Sequence, residues 1–95
     1  MVAYVIAQVR VSDPATYDEY KKKSGPAVAA FGGRFLVRGG PMEVIEGESE
    51  AERVVIVEFP DRETAKAWYD SELYREARAI RAPVSQAVFT LVSSD

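Results

Sequence analysis

The chain opens on a largely apolar, β-branched run, Val2 to Val11, which predicts a first strand. Ser12-Asp13-Pro14 then reads as a helix start, with Ser12 or Asp13 capping and Pro14 in the first turn, where a missing N–H costs nothing. Tyr17, Tyr20, Val28 and Phe31 recur at near-helical spacing. Gly25-Pro26 predicts a kink or break in that helix, and Gly32-Gly33 its end. Arg34 to Arg38 predicts a second strand, with a bulge or bend at Gly39-Gly40-Pro41 before Met42 to Ile45 resumes it. Glu46 to Glu52 is an acidic connection. Arg53 to Phe59 predicts the third strand. Asp61 caps a helix whose apolar positions are Ala65, Trp68 and Tyr69. Ser71 caps a further segment, Ser71 to Ala82, with Leu73, Ala77 and Ile80 on one face and Pro83 as its stop. Val84 to Val92 predicts the last strand, and Ser93 to Asp95 a polar tail.

The order β-α-β-β-α-β, joined by right-handed crossovers, predicts an α+β fold of the ferredoxin-like kind: a four-stranded antiparallel sheet with its helices on one face. Alternation along each strand separates two sets of side chains. Ala3, Val5, Ala7, Val9 and Val11 suit close packing by helices. Their counterparts, Tyr4, Ile6, Gln8 and Arg10, mix apolar with polar. The second strand divides into Phe35 and Val37 against Arg34, Leu36 and Arg38. The third divides into Val55, Val57 and Phe59 against Val54, Ile56 and Glu58. Tyr4, Ile6, Leu36, Val54 and Ile56 together exceed the ~300–600 Å² apolar patch of an ordinary monomer. No further helix is available to cover them. The prediction is a homodimer in which two such sheets face each other as a dimeric α+β barrel.

Composition narrows the chemistry. Ninety-five residues suit one domain, residues 1–95, and 47% hydrophobic with 28% charged is a globular balance. A net charge of −3 offers no basic surplus for nucleic acid or an anionic membrane. No run approaches the length of a membrane span, and Val2 to Ala7 lacks the basic flank of a signal peptide, so a cytoplasmic protein is expected. Cysteine and histidine are both absent. Disulfides, thiolate nucleophiles, Cys/His zinc sites, haem on a proximal histidine and a Ser-His-Asp triad are thereby excluded. No cofactor or metal is expected.

Gln8, Arg38 and Glu58 would lie on neighbouring strands of the mixed face. Arg38 stands opposite Glu58 if the intervening hairpin centres near residue 48. One reading is an ion pair completing the dimer contact. The other is a cleft shared with Tyr4, where Arg38 binds a substrate anion and Glu58 moves a proton. Tyr17, Tyr20, Trp68, Tyr69 and Tyr74 form a dense aromatic set, about half of it helix-to-sheet packing, with Trp68 and Tyr74 singled out to line a pocket. Arg75, Arg78 and Arg81 recur every third residue, as a solvated helix face or as an anion clamp led by Arg78. The glutamates from Glu43 to Glu52 lack the pattern of a calcium loop. Neither glycine pair builds a phosphate loop.

Several strings belong together. They are Tyr17-Asp18-Glu19-Tyr20, the run Phe31 to Gly40, Val57-Glu58-Phe59-Pro60-Asp61, and Ala67 to Tyr74 with Arg78. Over nearly its whole length the chain resembles the domain-of-unknown-function family 1330, within the dimeric α+β barrel (ferredoxin-like) superfamily. The resemblance implies a ferredoxin-like protomer, a dimer and no particular reaction. Superfamily members that depend on a histidine are a poor guide to a chain without one. Three functions stand side by side. The first is a homodimer binding a small organic molecule, with or without an anionic group, and carrying cofactor-free proton-transfer or oxygenase-like chemistry at Glu58 and Arg38. The second is non-catalytic or stress-associated binding at the same pocket. The third is a purely structural dimer. Tyr4, Gln8, Trp68, Tyr74 and Arg78 are the expected ligand-binding residues.

Overall fold

A computed structural model describes residues 1–93, so Ser94 and Asp95 of the expected polar tail lie outside the described residues. Strand β1 (Ala3–Val11) is followed by α1 (Pro14–Ala30), β2 (Arg34–Arg38), β3 (Arg53–Phe59), α2 (Arg62–Asp70), α3 (Glu72–Arg81) and β4 (Ser85–Ser93). A short 3₁₀ turn, Ala82–Val84, carries Pro83 between α3 and β4. The sheet is antiparallel throughout, in the order β2-β3-β1-β4, which is the ferredoxin-like arrangement.

Local signals set the helix limits. Asp13 accepts from the Thr16 backbone N–H at 3.3 Å and Asp61 from that of Thr64 at 2.7 Å, so each satisfies a donor the first turn leaves free. At the far end of α1 the N–H groups of Gly33 and Gly32 return to the carbonyls of Val28 and Ala29. Gly32 takes φ +70°, as that closure requires.

Two expectations about chain breaks are corrected. α1 runs unbroken through Gly25-Pro26. Pro26 and Lys22 are exposed, so water can take the carbonyl that the proline ring leaves without a donor, while Ser24, Ala27 and Val28 keep the inner face packed. Met42 to Ile45 does not resume the second strand. β3 already pairs with β2 on one side and β1 on the other. Gly39, at φ +74°, turns the chain off the edge, and Ile45 is 93% exposed.

The core lies between the sheet and the helices. Ala3, Val5, Ala7 and Val9 of β1 and Val57 and Phe59 of β3 are buried on that side against Tyr17, Val28, Trp68 and Tyr74. Gly33 is needed at its corner, because a Cβ there would come within 2.7 Å of the Phe59 ring and 2.8 Å of Val28. The opposite face has no covering element among the described residues. Val88 there is 60% exposed, and Tyr4, Ile6, Val54 and Ile56 are only half-buried.

Candidate functional site

The bend between α2 and α3 is built on one serine. Ser71 Oγ donates to the Trp68 carbonyl at 2.7 Å, ending α2, and accepts from the Tyr74 N–H at 3.2 Å, starting α3. Trp68 and Tyr74, the two aromatics predicted to line a pocket, are thereby brought together with ring centres 4.3 Å apart. Trp68 is 2% exposed, and its indole Nε1 is buried with no hydrogen-bond partner among the described residues. An N–H in that state costs on the order of 1–3 kcal/mol until an acceptor meets it.

Tyr74 is fully buried but not isolated. Its hydroxyl lies 3.0 Å from that of Tyr20 on α1 and accepts from Arg81 Nε at 3.2 Å. Burial pushes both phenols up, which keeps them neutral hydrogen-bonding groups. For Arg81 burial works against the charge, but the Tyr74 and Tyr20 hydroxyls outweigh it and hold the guanidinium above its ordinary value. Arg81 is 7% exposed, and no carboxylate pairs with it among the described residues. Its guanidinium carbon sits 4.5 Å from the Phe89 ring centre. A buried cation is thus held by phenols and ring faces.

These groups flank an open groove of about 560 Å³ between α2, α3 and β4. Trp68, Tyr69, Phe89 and Leu91 give it apolar walls, and Arg78 and Arg81 enter it. Arg78 lies over Tyr69 at 4.5 Å and has no salt-bridge partner among the described residues. The volume falls within the range of small-molecule pockets, roughly 300–1,000 Å³. A second cavity, between α1 and the sheet, offers only about 20 Å³ to the centre of a water molecule, room for a single water.

The expected pairing of Arg38 with Glu58 is corrected. Arg34 stands opposite Glu58 and Val37 opposite Ile56, with a bulge between Phe35 and Val37. The extra residue, Leu36, turns Arg38 to the helix side, where it faces Val55. Its guanidinium stacks on Phe35 at 4.1 Å and donates to the Lys21 carbonyl at 3.0 Å. Glu58 remains on the open face, opposite Tyr4, and takes Arg34 Nε at 2.7 Å. Gln8 also lies on that face, opposite Val54. The seven predicted site residues therefore divide. Trp68 and Arg78 line the groove, Tyr74 is packed behind Trp68 and does not reach it, Tyr4, Gln8 and Glu58 lie on the uncovered face, and Arg38 sits apart near α1.

Sequence reasoning missed the burial of Arg81 and the part played by Tyr20. On α3 the expected inner face holds at Ala77, which is buried, and at Ile80, which packs against the core, but not at Leu73, which is 48% exposed; Tyr74 and Arg81 are buried instead. Tyr74, Ala77 and Arg81 are the fully inward set. Those three follow the i, i+3, i+7 spacing of a core stripe. The signal was present but hidden by the charge of Arg81. Among the described residues no group of three or more acidic side chains is placed to hold a metal ion. No helix among them is long and apolar enough to cross a membrane.

The family model described as "Domain of unknown function (DUF1330)" matches residues 2–94. No curated protein matches the sequence significantly. Among solved structures, a protein of unknown function from Rhodopseudomonas palustris is 19% identical, with a TM-score of 0.78 over 96% of this chain and 80% of the other. A dimeric ferredoxin-like protein of unknown function from Jannaschia sp. CCS1 is 13% identical, with a TM-score of 0.76 over 98% and 99%. SnoaB, a cofactor-independent oxygenase from Streptomyces nogalater, is 11% identical, with a TM-score of 0.68 over 99% and 93%. These likenesses are in fold.

Proposed function

Because the chain belongs to the DUF1330 family, which carries no assigned reaction, we propose from its own geometry that it is a cytoplasmic homodimer binding a small aromatic organic anion in the groove between α2, α3 and β4. One observation carries the reading. Arg78, Arg81 and Lys66 outnumber Asp70, the one carboxylate lining this aromatic-walled groove, and neither arginine has a salt-bridge partner among the described residues. The apolar walls offer a flat ring a surface to pack on, and a carboxylate accepts paired N–H bonds from a guanidinium.

Binding takes precedence over turnover. Glu58 and Arg38 are on opposite faces of the sheet, so they do not form one proton-transfer cleft. Glu58, paired with Arg34 on the apolar open face, belongs with the contact between protomers. That contact is proposed from the uncovered Tyr4, Ile6, Val54 and Ile56, and it agrees with the dimeric state of the Jannaschia relative.

Trp68 is the single tryptophan of the chain and serves as the reporter. Titration of its fluorescence with benzoate and 1-naphthoate, against benzamide and 1-naphthamide, is expected to show saturable binding of the acids alone. Arg78→Gln should weaken it at least tenfold, while Arg75→Gln, on the exposed side of α3, leaves it unchanged. Equal binding of acid and amide, or indifference to Arg78→Gln, overturns the reading.

A further inference from the structure

On the other side of the Trp68 wall, at the outer mouth of the small cavity beneath α1, two more arginines converge. Arg38 from the end of β2 and Arg53 from the start of β3 line both that cavity and the shallow concave surface outside it, together with Lys21 and Lys22 of α1. The lysines are already matched within their own helix. Lys21 pairs with Asp18 at 3.0 Å and Lys22 with Glu19 at 3.2 Å. The arginines are not: among the described residues neither has a carboxylate within salt-bridge distance. Arg53 Nε is moreover buried without a hydrogen-bond partner.

Both guanidinium groups are held in place by contacts that carry no negative charge. Arg38 stacks on Phe35 and donates to the Lys21 carbonyl, and its nitrogens lie 3.5–3.7 Å from where a Cβ on Gly25 would stand. Arg53 lies 5.1 Å from the centre of the Tyr17 ring. Gly39, at φ +74°, lets the backbone lie directly against it: a Cβ there would fall 2.4 Å from the Arg53 guanidinium carbon. Two guanidinium groups lining one concave surface favour an anion placed between them. The cavity behind them, with room for about one water, excludes an acyl or aromatic tail.

We propose that Arg38 and Arg53 form a second binding site, separate from the α2–α3–β4 groove, for a compact phosphate-type oxyanion. A phosphate group carries about −1.5 to −2 charges at neutral pH, which matches two unpaired guanidinium groups, and it accepts paired N–H bonds from each. The source is inorganic phosphate or the phosphate group of a small monoester.

Calorimetric titration of the purified protein with inorganic phosphate and with glycerol 3-phosphate, at ionic strength held constant with chloride, tests this. Saturable binding is expected, reduced at least tenfold by Arg38→Gln and by Arg53→Gln and unaffected by Arg78→Gln in the other groove. Tighter binding of the ester identifies a phosphorylated metabolite, and equal binding the free ion. Arg38 is exposed, so Arg38→Gln remains informative if Arg53→Gln fails to fold. No saturable binding to the unsubstituted protein, or binding that survives Arg38→Gln, overturns the site. Either result leaves the aromatic-anion reading untouched, because that rests on Arg78.

Discussion

The two faces of the sheet are built from similar apolar residues and meet different fates. On the helix side, Ala3, Val5, Ala7 and Val9 present small side chains, and Tyr17, Trp68 and Tyr74 fill the space above them. On the other side, Ile6, Val54, Ile56, Val88 and Val92 make an apolar surface with nothing above it among the described residues. The difference lies in the polar groups. The closed side satisfies its phenols and Arg81 internally, through the contacts of Tyr20, Tyr74 and Arg81. The open side keeps its polar residues, Gln8, Arg10 and Arg34, exposed around the apolar centre. An apolar centre with a polar rim is the composition of an interface between chains.

The largest expected effect separates the two faces by stability. Tyr74→Ala removes a fully buried ring together with the hydroxyl that binds Tyr20 and Arg81, and should cost about 3–5 kcal/mol in urea unfolding. A loss below about 1 kcal/mol would mean the closed side is not the principal core.

The next effect concerns assembly. Ile56→Lys places a charge at the centre of the open face. Sedimentation at micromolar concentration should change from dimer to monomer, with the fold retained by circular dichroism. An unsubstituted protein that sediments as a single chain breaks the comparison, since both faces would then be stable in water.

The smallest effect is local to the closed side. The side-chain and backbone hydrogen bonds to Thr64 hold the Asp61 carboxyl below its ordinary value, near 3.9. A depressed folded-state value means that the stabilisation is present above pH about 4 and is lost as pH falls through the folded value. Asp61→Asn should therefore lower the melting temperature at neutral pH by a small amount, and the gap to the unsubstituted protein should close in acid. A gap that stays constant down to pH 2 would show that the carboxylate charge contributes nothing to the cap.

Much of the fold is legible because its signals are short. Asp13 with Pro14, Asp61 and Ser71 each satisfy donors within three residues, and the β-branched runs mark strands wherever they later pair. The site is less legible. Trp68 and Tyr74 stand out only through the string that contains them, and of the two only Trp68 lines the groove. Arg78 and Arg81 read together as a solvated face or an anion clamp, and neither reading foresees the burial of Arg81, because a charge on a helix is read as exposed unless its partners are known. Its partners are neutral: Tyr20, sixty-one residues earlier in the chain, and Tyr74 and Phe89 nearer by.

By itself, then, the sequence determined the element order, the helix caps and the chemistry the chain cannot perform, since these follow from residue types and from contacts a few positions long. Tertiary structure alone decided that Leu36 bulges, that Arg38 therefore leaves Glu58 for the helix side while Arg34 takes its place, and that Arg81 is buried. The physical reason is register. A strand's side chains exchange faces with every residue of slip, and which residue slips depends on the distant strand that pairs with it.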